Sequence, residues 1–310
     1  MIEPKHHIFE SRGKLLLTGE YVVLDGAMAL AIPTKFGQNL TIETIENPKI
    51  YWTSFDDHNE LWFEAEFQIG TGTISTLTTS NLKFSERLQQ IFQAIHVLNP
   101  DLFGRERGYK ISTQLDFPRN WGLGSSSTLI NNLANWADID PFLLLDKTFG
   151  GSGYDIACAS ASKPILYQIT KDDQRKVQTA DFNPTFKDYL YFVHLNRKQN
   201  SREGINHYRQ NRSNLSKVIV EINKISKEIL TCDTLVDFQK LIEAHESIIS
   251  RVIELPTVKD SLFKDFEGSI KSLGAWGGDF ILVASKQNPI AYFSSKGYTT
   301  ILDYQTMVYN

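Results

Sequence analysis

Cysteine is nearly absent: Cys158 and Cys232 are the two in 310 residues, far apart along the chain. That excludes a disulfide framework and any Cys-x-x-Cys motif, and it fits a reducing compartment. Basic charge is not in excess either. Lysine and arginine number 32 against 36 acidic residues, a formal charge of −4. No basic stripe interrupts that balance, so no nucleic-acid partner is expected. A bound anion would have to be met locally, by backbone amides and a few placed cations. No run reaches the roughly 18 apolar residues that span a bilayer. The opening Met1-Ile2-Glu3-Pro4-Lys5-His6-His7 lacks the apolar stretch of a secretory signal. A cytoplasmic protein with no membrane partner is the expectation. Repeats, low-complexity tracts and long linkers are missing too. Histidine is sparse. His245-Glu246 lacks the second histidine of a zincin helix, and His194, ending an apolar run, reads as a core residue. Aromatics fall at core-like spacings rather than among basic residues, which argues against a platform for single-stranded nucleic acid.

Hydrophobic residues make up 41% of the chain, enough for a sizeable core in one large domain or two medium ones. The first third reads as β-rich. Strands are expected at Lys14–Thr18, Asn39–Glu43, Lys49–Thr53, Leu61–Phe67 and Tyr109–Leu115, and a helix at Ser85–Val97 stopped by Asn99-Pro100. A helix should start near Ser125 and a second after the cap signal Asp140-Pro141. A third is expected at Asp155–Ser160, with a strand at Pro164–Ile169 following it. Beyond lie strand Tyr189–Leu195 and helices Leu215–Leu230 and Leu235–Val252, preceded by cap-like Ser213 and Thr234. A helix at Lys259–Ser272 and strands at Phe280–Ala284 and Tyr298–Leu302 complete the reading. Charged residues and turn formers cluster at residues 170–188, which places a lobe boundary there and divides the chain into 1–175 and 176–310.

The strongest local signal is Pro118-Arg119-Asn120-Trp121-Gly122-Leu123-Gly124-Ser125-Ser126-Ser127. An expected strand feeds a loop with two glycines, and the loop feeds a helix start with three hydroxyls. Glycine lets backbone approach a polyphosphate, and the first-turn amides and helix dipole favour an anion. A first-turn hydroxyl can ligate Mg²⁺. Alone, the segment equally suits a glycine turn with a serine cap. It is neither a Walker A motif nor a Rossmann fingerprint.

Three further segments add to it. Arg12-Gly13-Lys14-Leu15-Leu16-Leu17-Thr18-Gly19-Glu20 carries a lysine at an expected strand start and Gly-Glu at its end. Gly150-Gly151-Ser152-Gly153-Tyr154-Asp155-Ile156-Ala157 crowds glycines before an aspartate at a helix start. Asp155 there suits either an N-cap or a general base near a bound group. Asn196–Glu203 offers three cations after an apolar strand, as a solvated turn or as a contact for an anionic acceptor.

The glycine-serine loop and the Arg12–Glu20 and Gly150–Ala157 segments together resemble the GHMP kinases, the superfamily of galactokinase, homoserine kinase, mevalonate kinase and phosphomevalonate kinase. Arg12–Glu20 is similar to the family's first motif, with Arg12 where proline is usual, and Pro118–Ser127 to its second, with Asn120 for glycine and Ser127 for alanine. Leu273-Gly274-Ala275-Trp276-Gly277-Gly278-Asp279 is similar to its C-terminal glycine loop, with Trp276 for the middle glycine. Gly151–Ala157 and the Gly277-Gly278-Asp279 ending lean toward phosphomevalonate kinases and a bacterial group named for its Gly-Tyr-Asp-Ile-Ala motif.

The resemblance implies an α+β, GHMP kinase-like two-lobed fold, with an N-terminal ribosomal-S5-like lobe holding nucleotide and a C-terminal ferredoxin-like lobe completing the acceptor site. It implies an ATP- and Mg²⁺-dependent kinase whose partner is a small-molecule phosphoryl acceptor, with phosphomevalonate or mevalonate leading. A sugar or homoserine kinase, or an ATP-binding sensor without catalysis, are the alternatives, and a homodimer is compatible with all of them. Gly122, Leu123, Gly124, Ser125, Ser126 and Ser127 would hold the ATP phosphates, with Ser126 on magnesium. Lys14 and Asp155 would be catalytic. Lys14, Gly153, Ser201, Gly274, Ala275, Gly277 and Gly278 would line the acceptor. Mevalonate kinases place a second magnesium ligand, a glutamate, eleven residues before that aspartate. Leu144 stands there in this chain, with Asp146 nearby as a substitute.

Overall fold

A computed structural model describes residues 6–104, 107–197, 201–211 and 215–309, the side chains of 201, 202 and 211 excepted. The chain divides into two compact units. The first is Met1–Gly13, Phe36–Arg119 and Gly124–Ser160; the second is Lys14–Lys35, Asn120–Leu123 and Ala161–Asn310.

The first unit is a sheet covered by helices. Strands β1 (His6–Thr18) and β2 (Ala29–Ile45) are long and contribute residues to both units. β3 (Lys49–Phe55), β4 (Leu61–Ile69) and β5 (Ile74–Thr79) follow, then α1 (Leu82–Leu98), β6 (Gly108–Leu115), α2 (Ser125–Ala137), α3 (Pro141–Thr148) and α4 (Tyr154–Ala159). The strand order is β5-β4-β3-β6-β2, and β1 pairs β2. Every pairing along that path is antiparallel except β3–β6, and the connection between those two carries α1. Alternation sets the sheet faces. Ile50 and Trp52 on β3, and Phe63, Ala65 and Phe67 on β4, turn into the core. Leu88, Ile91, Phe92 and Ile95 supply the helical stripe of α1 against them. That helix starts where the Asn81 side chain accepts the Phe84 amide, and α3 where Asp140 Oδ1 accepts the Phe142 amide at 2.7 Å.

The second unit contains the pairing of Ala29–Ala31 with β7 (Ile165–Ile169), which in turn pairs β8 (Arg175–Thr179). Its other sheet is fully antiparallel, and β9 (Leu190–His194) is one of its two central strands. Helices α5 (Ser201–Asn211), α6 (Leu215–Leu230), α7 (Leu235–Ile253) and α8 (Val258–Leu262) come next. β10 (Ser269–Ser272), β11 (Phe280–Ala284), α9 (Ile290–Ser295), β12 (Ile301–Asp303) and α10 (Tyr304–Met307) end the chain, with order β10-β11-β9-β12. Val193, Phe263, Phe266, Ile270, Ile281 and Phe293 form its core.

Several expectations are corrected. No helix runs through Lys259–Ser272. α8 stops at Leu262, Gly268 adopts φ 154°, and Ser269–Ser272 form β10 paired to β11. Phe263 and Phe266 have helical spacing but fill the core from a turn, and all four residues of β10 are buried, which no amphipathic helix would allow. Residues 170–188 carry the exposed edge strand β8, whose Arg175 and Lys176 are the charges of a protected edge, and they lie inside the second unit. Strand β12 is shorter than Tyr298–Leu302 and starts at Ile301. Residue Ser213, expected as a cap, lies outside the described residues.

Candidate active site

In the first unit the glycine-serine segment opens α2 as its pattern requires. Gly124 is the N-cap at φ 96° and provides no side-chain cap. Among the described residues no hydrogen bond takes the main-chain N–H of any residue from 122 to 127; the Thr128 amide, bonded to the Gly124 carbonyl at 3.0 Å, is the first to close. Those of Gly124 to Ser127 are the orphan donors of a helix start. Ser126 is exposed, whereas Ser127 is buried and donates its hydroxyl to the Gly124 carbonyl at 2.8 Å. The amide of Ser127 is thus the part of that residue left to face an anion.

A buried polar network fixes the rotation of α2. Ser11 Oγ donates to Asn132 Oδ1 at 2.6 Å and accepts from Asn131 Nδ2 at 2.9 Å. Asn132 Nδ2 donates to the Gln38 carbonyl at 2.9 Å, and Thr128 Oγ1 to Gln38 Oε1 at 2.8 Å. Each group is satisfied, so the helix is held in one register against β1 and β2. Helix α4 packs on α2. Gly153 caps it at φ 89°, and Asp155 sits half-buried in its first turn, Oδ1 accepting the Ile156 amide at 3.1 Å.

Magnesium is the metal expected from the sequence. Among the described residues no group of three or more His, Cys, Asp or Glu is placed to hold a metal. Leu144 is 0% exposed and belongs to the core of the first unit, so its position cannot supply a ligand. Asp146 lies on the exposed side of the same helix. The donor set present, the exposed Ser126 hydroxyl, fits an ion held chiefly by phosphate oxygens and water.

In the second unit, three motif segments meet. Lys14 lies in mid-strand rather than at a strand start; its Nζ donates to the Gly122 carbonyl at 3.0 Å and its amide to the Leu123 carbonyl at 2.8 Å. Gly122 has φ 68°, and a Cβ there would collide with the Asp279 carboxyl. Asp279 ends the C-terminal glycine loop, in which Gly274 has φ 76° and Gly277 φ 77°. The Gly278 amide reaches the Ala275 carbonyl at 3.4 Å, and Arg197 Nε donates to the Gly277 carbonyl at 2.7 Å. Trp276 is turned into the fold, its indole N–H on the Pro256 carbonyl at 2.9 Å. Ser201 is the first residue of α5.

Sequence reasoning missed Tyr21 and a buried charge cluster. Tyr21 has φ 62° and ψ −51°, and the Val22 amide bonds the Glu20 carbonyl at 2.7 Å across it. This is a positive-φ γ-turn, a rare and strained arrangement that surrounding contacts must impose. They do: Tyr21 Oη accepts the Trp276 amide at 2.9 Å, and the ring stacks on Tyr208 with centroids 5.8 Å apart. Beneath it, Lys271 Nζ pairs with Glu20 Oε1 at 2.6 Å and Glu246 Oε1 at 3.5 Å. The Gly19 amide donates to His245 Nε2 at 2.9 Å, so the imidazole proton sits on Nδ1. The 3.3 Å approach of Glu20 Oε2 to that same nitrogen is therefore no ion pair. Burial, and then the Lys271 charge, hold His245 well below its usual range, while burial raises Glu20.

No family model and no curated protein sequence matches the chain. Solved structures do. Mevalonate kinase of Methanococcus jannaschii aligns over 96% of this chain and 97% of its own at TM-score 0.66 and 15% identity. Streptococcus pneumoniae phosphomevalonate kinase, in complex with phosphomevalonate and AMPPNP, aligns over 94% and 95% at TM-score 0.65 and 16% identity. Lactococcus lactis galactokinase, complexed with galactose, aligns over 98% and 94% at TM-score 0.68 and 13% identity. This is the GHMP kinase fold. Because the GHMP kinase fold carries such different acceptors at near-equal similarity, the fold does not name an acceptor here.

Proposed function

We propose that the chain is an ATP- and magnesium-dependent small-molecule kinase of the GHMP type, acting on phosphomevalonate or mevalonate in isoprenoid precursor synthesis. The observation that carries the reading is the run of open amides from residue 122 to 127 at the start of α2. The AMPPNP in the solved phosphomevalonate kinase supports nucleotide use by this fold.

Phosphoryl transfer proceeds through a loose transition state, so the protein's contribution is positioning and charge stabilisation. The loop amides receive the phosphates and the helix dipole of α2 adds a favourable field. Magnesium, when bound at Ser126, neutralises phosphate charge. Lys14, on the Gly122 carbonyl, orients that peptide and places an ammonium beside the loop. Asp155 accepts or orients the acceptor's proton, and Gly153, Ser201, Gly274, Ala275, Gly277 and Gly278 shape the acceptor's surroundings.

ADP release with ATP, Mg²⁺ and a panel of mevalonate, 5-phosphomevalonate, homoserine and galactose tests the proposal. Turnover with either mevalonate compound is expected. The galactokinase similarity keeps a sugar acceptor as the second reading. Nucleotide binding with no product across the panel would instead indicate a sensor. Asn120, Trp276 and Leu144, at motif positions where the family has other residues, motivate that reading, and the retention of both Lys14 and Asp155 weighs against it.

A further inference from the structure

The segment just before α2 is pinned at every residue within the second unit. The Asn120 carbonyl lies 3.2 Å from His194 Nε2. The Trp121 ring meets Phe280 edge-on, centroids 5.3 Å apart. Leu123 is buried and its carbonyl accepts the Lys14 amide. Gly122 is bounded on two sides: its carbonyl accepts Lys14 Nζ, and the Asp279 carboxyl fills the space that a Cβ would take.

Asp279 is itself fixed. It is 8% exposed and holds φ 53°, a left-handed conformation that costs a non-glycine residue energy. Its amide donates to the Arg197 carbonyl at 2.9 Å, and its carbonyl accepts the Leu195 amide at 2.8 Å. Two backbone bonds therefore hold the main chain of Asp279, and its carboxyl occupies the space a side chain at Gly122 would need.

We propose that Asp279 is a positioning residue for nucleotide binding: its carboxyl defines the space above Gly122 and so sets the peptide that leads into the open amides of α2. The inference rests on the kinase reading given above and assigns it a further residue.

A double-mutant cycle with a nonhydrolysable ATP analogue and Mg²⁺, read by calorimetry, tests this. Gly122→Ala meets both the φ strain and the carboxyl; in an Asp279→Ala background the strain remains but the collision is gone. Nucleotide affinity should show a coupling of at least about tenfold between the two changes, on the scale of residues in contact. Asp279→Asn, which keeps the shape, should bind within about threefold of wild type. Additive effects, or equal losses in Asp279→Asn and Asp279→Ala, would overturn the proposal, as would a lowered Tm with unchanged affinity. Should Gly122→Ala fail to fold, the two Asp279 variants decide: Asp279→Ala should bind the analogue at least about tenfold more weakly than Asp279→Asn, and equal affinities refute it. A wild-type protein that binds no nucleotide defeats the kinase reading and this inference together. Binding without coupling defeats this inference alone.

Discussion

Lys271 Nζ lies 2.6 Å from Glu20 Oε1 with both side chains wholly withdrawn from solvent. Glu20 closes the first motif and Lys271 precedes the C-terminal glycine loop, so one ion pair ties the two segments at their bases. Removing one member leaves an uncompensated buried charge, which costs about 3–5 kcal/mol. Lys271→Met should lower stability to denaturant by that order. The pair Glu20→Gln with Lys271→Met should recover much of the loss. No recovery would show that the ion pair itself is not what the lysine contributes.

The same cluster titrates. Burial pushes Glu246 up from its ordinary 4.5 to about 7. A carboxyl that holds its proton more tightly in the folded state contributes stability that is full below 4.5 and lost as pH climbs through about 7. Glu20, also raised, acts in the same sense. Depressed His245 acts oppositely, its stability rising with pH below its usual 6.5. Unfolding of wild type and Glu246→Gln from about pH 5 to about pH 8 separates them. Relative to the variant, the wild type should lose stability across that span. A flat difference would place Glu246 in an ordinary carboxyl environment.

Leu144 gives a stability prediction with a functional edge. Restoring the magnesium-ligating glutamate of mevalonate kinases at this position should fail, because the side chain is buried in the core of the first unit. Leu144→Glu should cost at least about 4 kcal/mol, the range reserved for buried unpaired charge. A stable Leu144→Glu protein with tighter Mg²⁺ dependence would contradict the packing.

Asp155 carries the chemical prediction. Asp155→Ala should reduce turnover roughly 10²-fold or more, the scale of a lost general base. Nucleotide affinity should stay within about twofold, since the amides proposed to receive the phosphates stand at the start of α2 and not on α4. Near-normal turnover would remove Asp155 from the mechanism. Lys14→Ala, by contrast, should impair nucleotide binding as well as turnover, because Lys14 grips the Gly122 carbonyl.

Much of this was legible beforehand. The glycine-serine segment, the Asp155 helix start and the C-terminal glycines lie where pattern and cap chemistry put them, since those features act over a few residues. The charge cluster was not legible. Glu20, His245, Glu246 and Lys271 are up to 251 positions apart, and Lys271 sits in a stretch whose phenylalanine spacing imitates a helix. The strain at Tyr21 was equally hidden, because its cause is a hydroxyl contact with residue 276 rather than a local preference.

The buried asparagines of α2 have a consequence for anyone moving this loop elsewhere. A graft of residues 118–127 alone would carry the glycines and serines but not the gearing that decides which way the helix start points. Ser11, Gln38, Thr128, Asn131 and Asn132 mesh as teeth on two strands and one helix. A transplanted segment without them would be free to turn by a residue, about 100°, and present side chains where the donors should be. The portable unit is therefore the loop together with its polar underside.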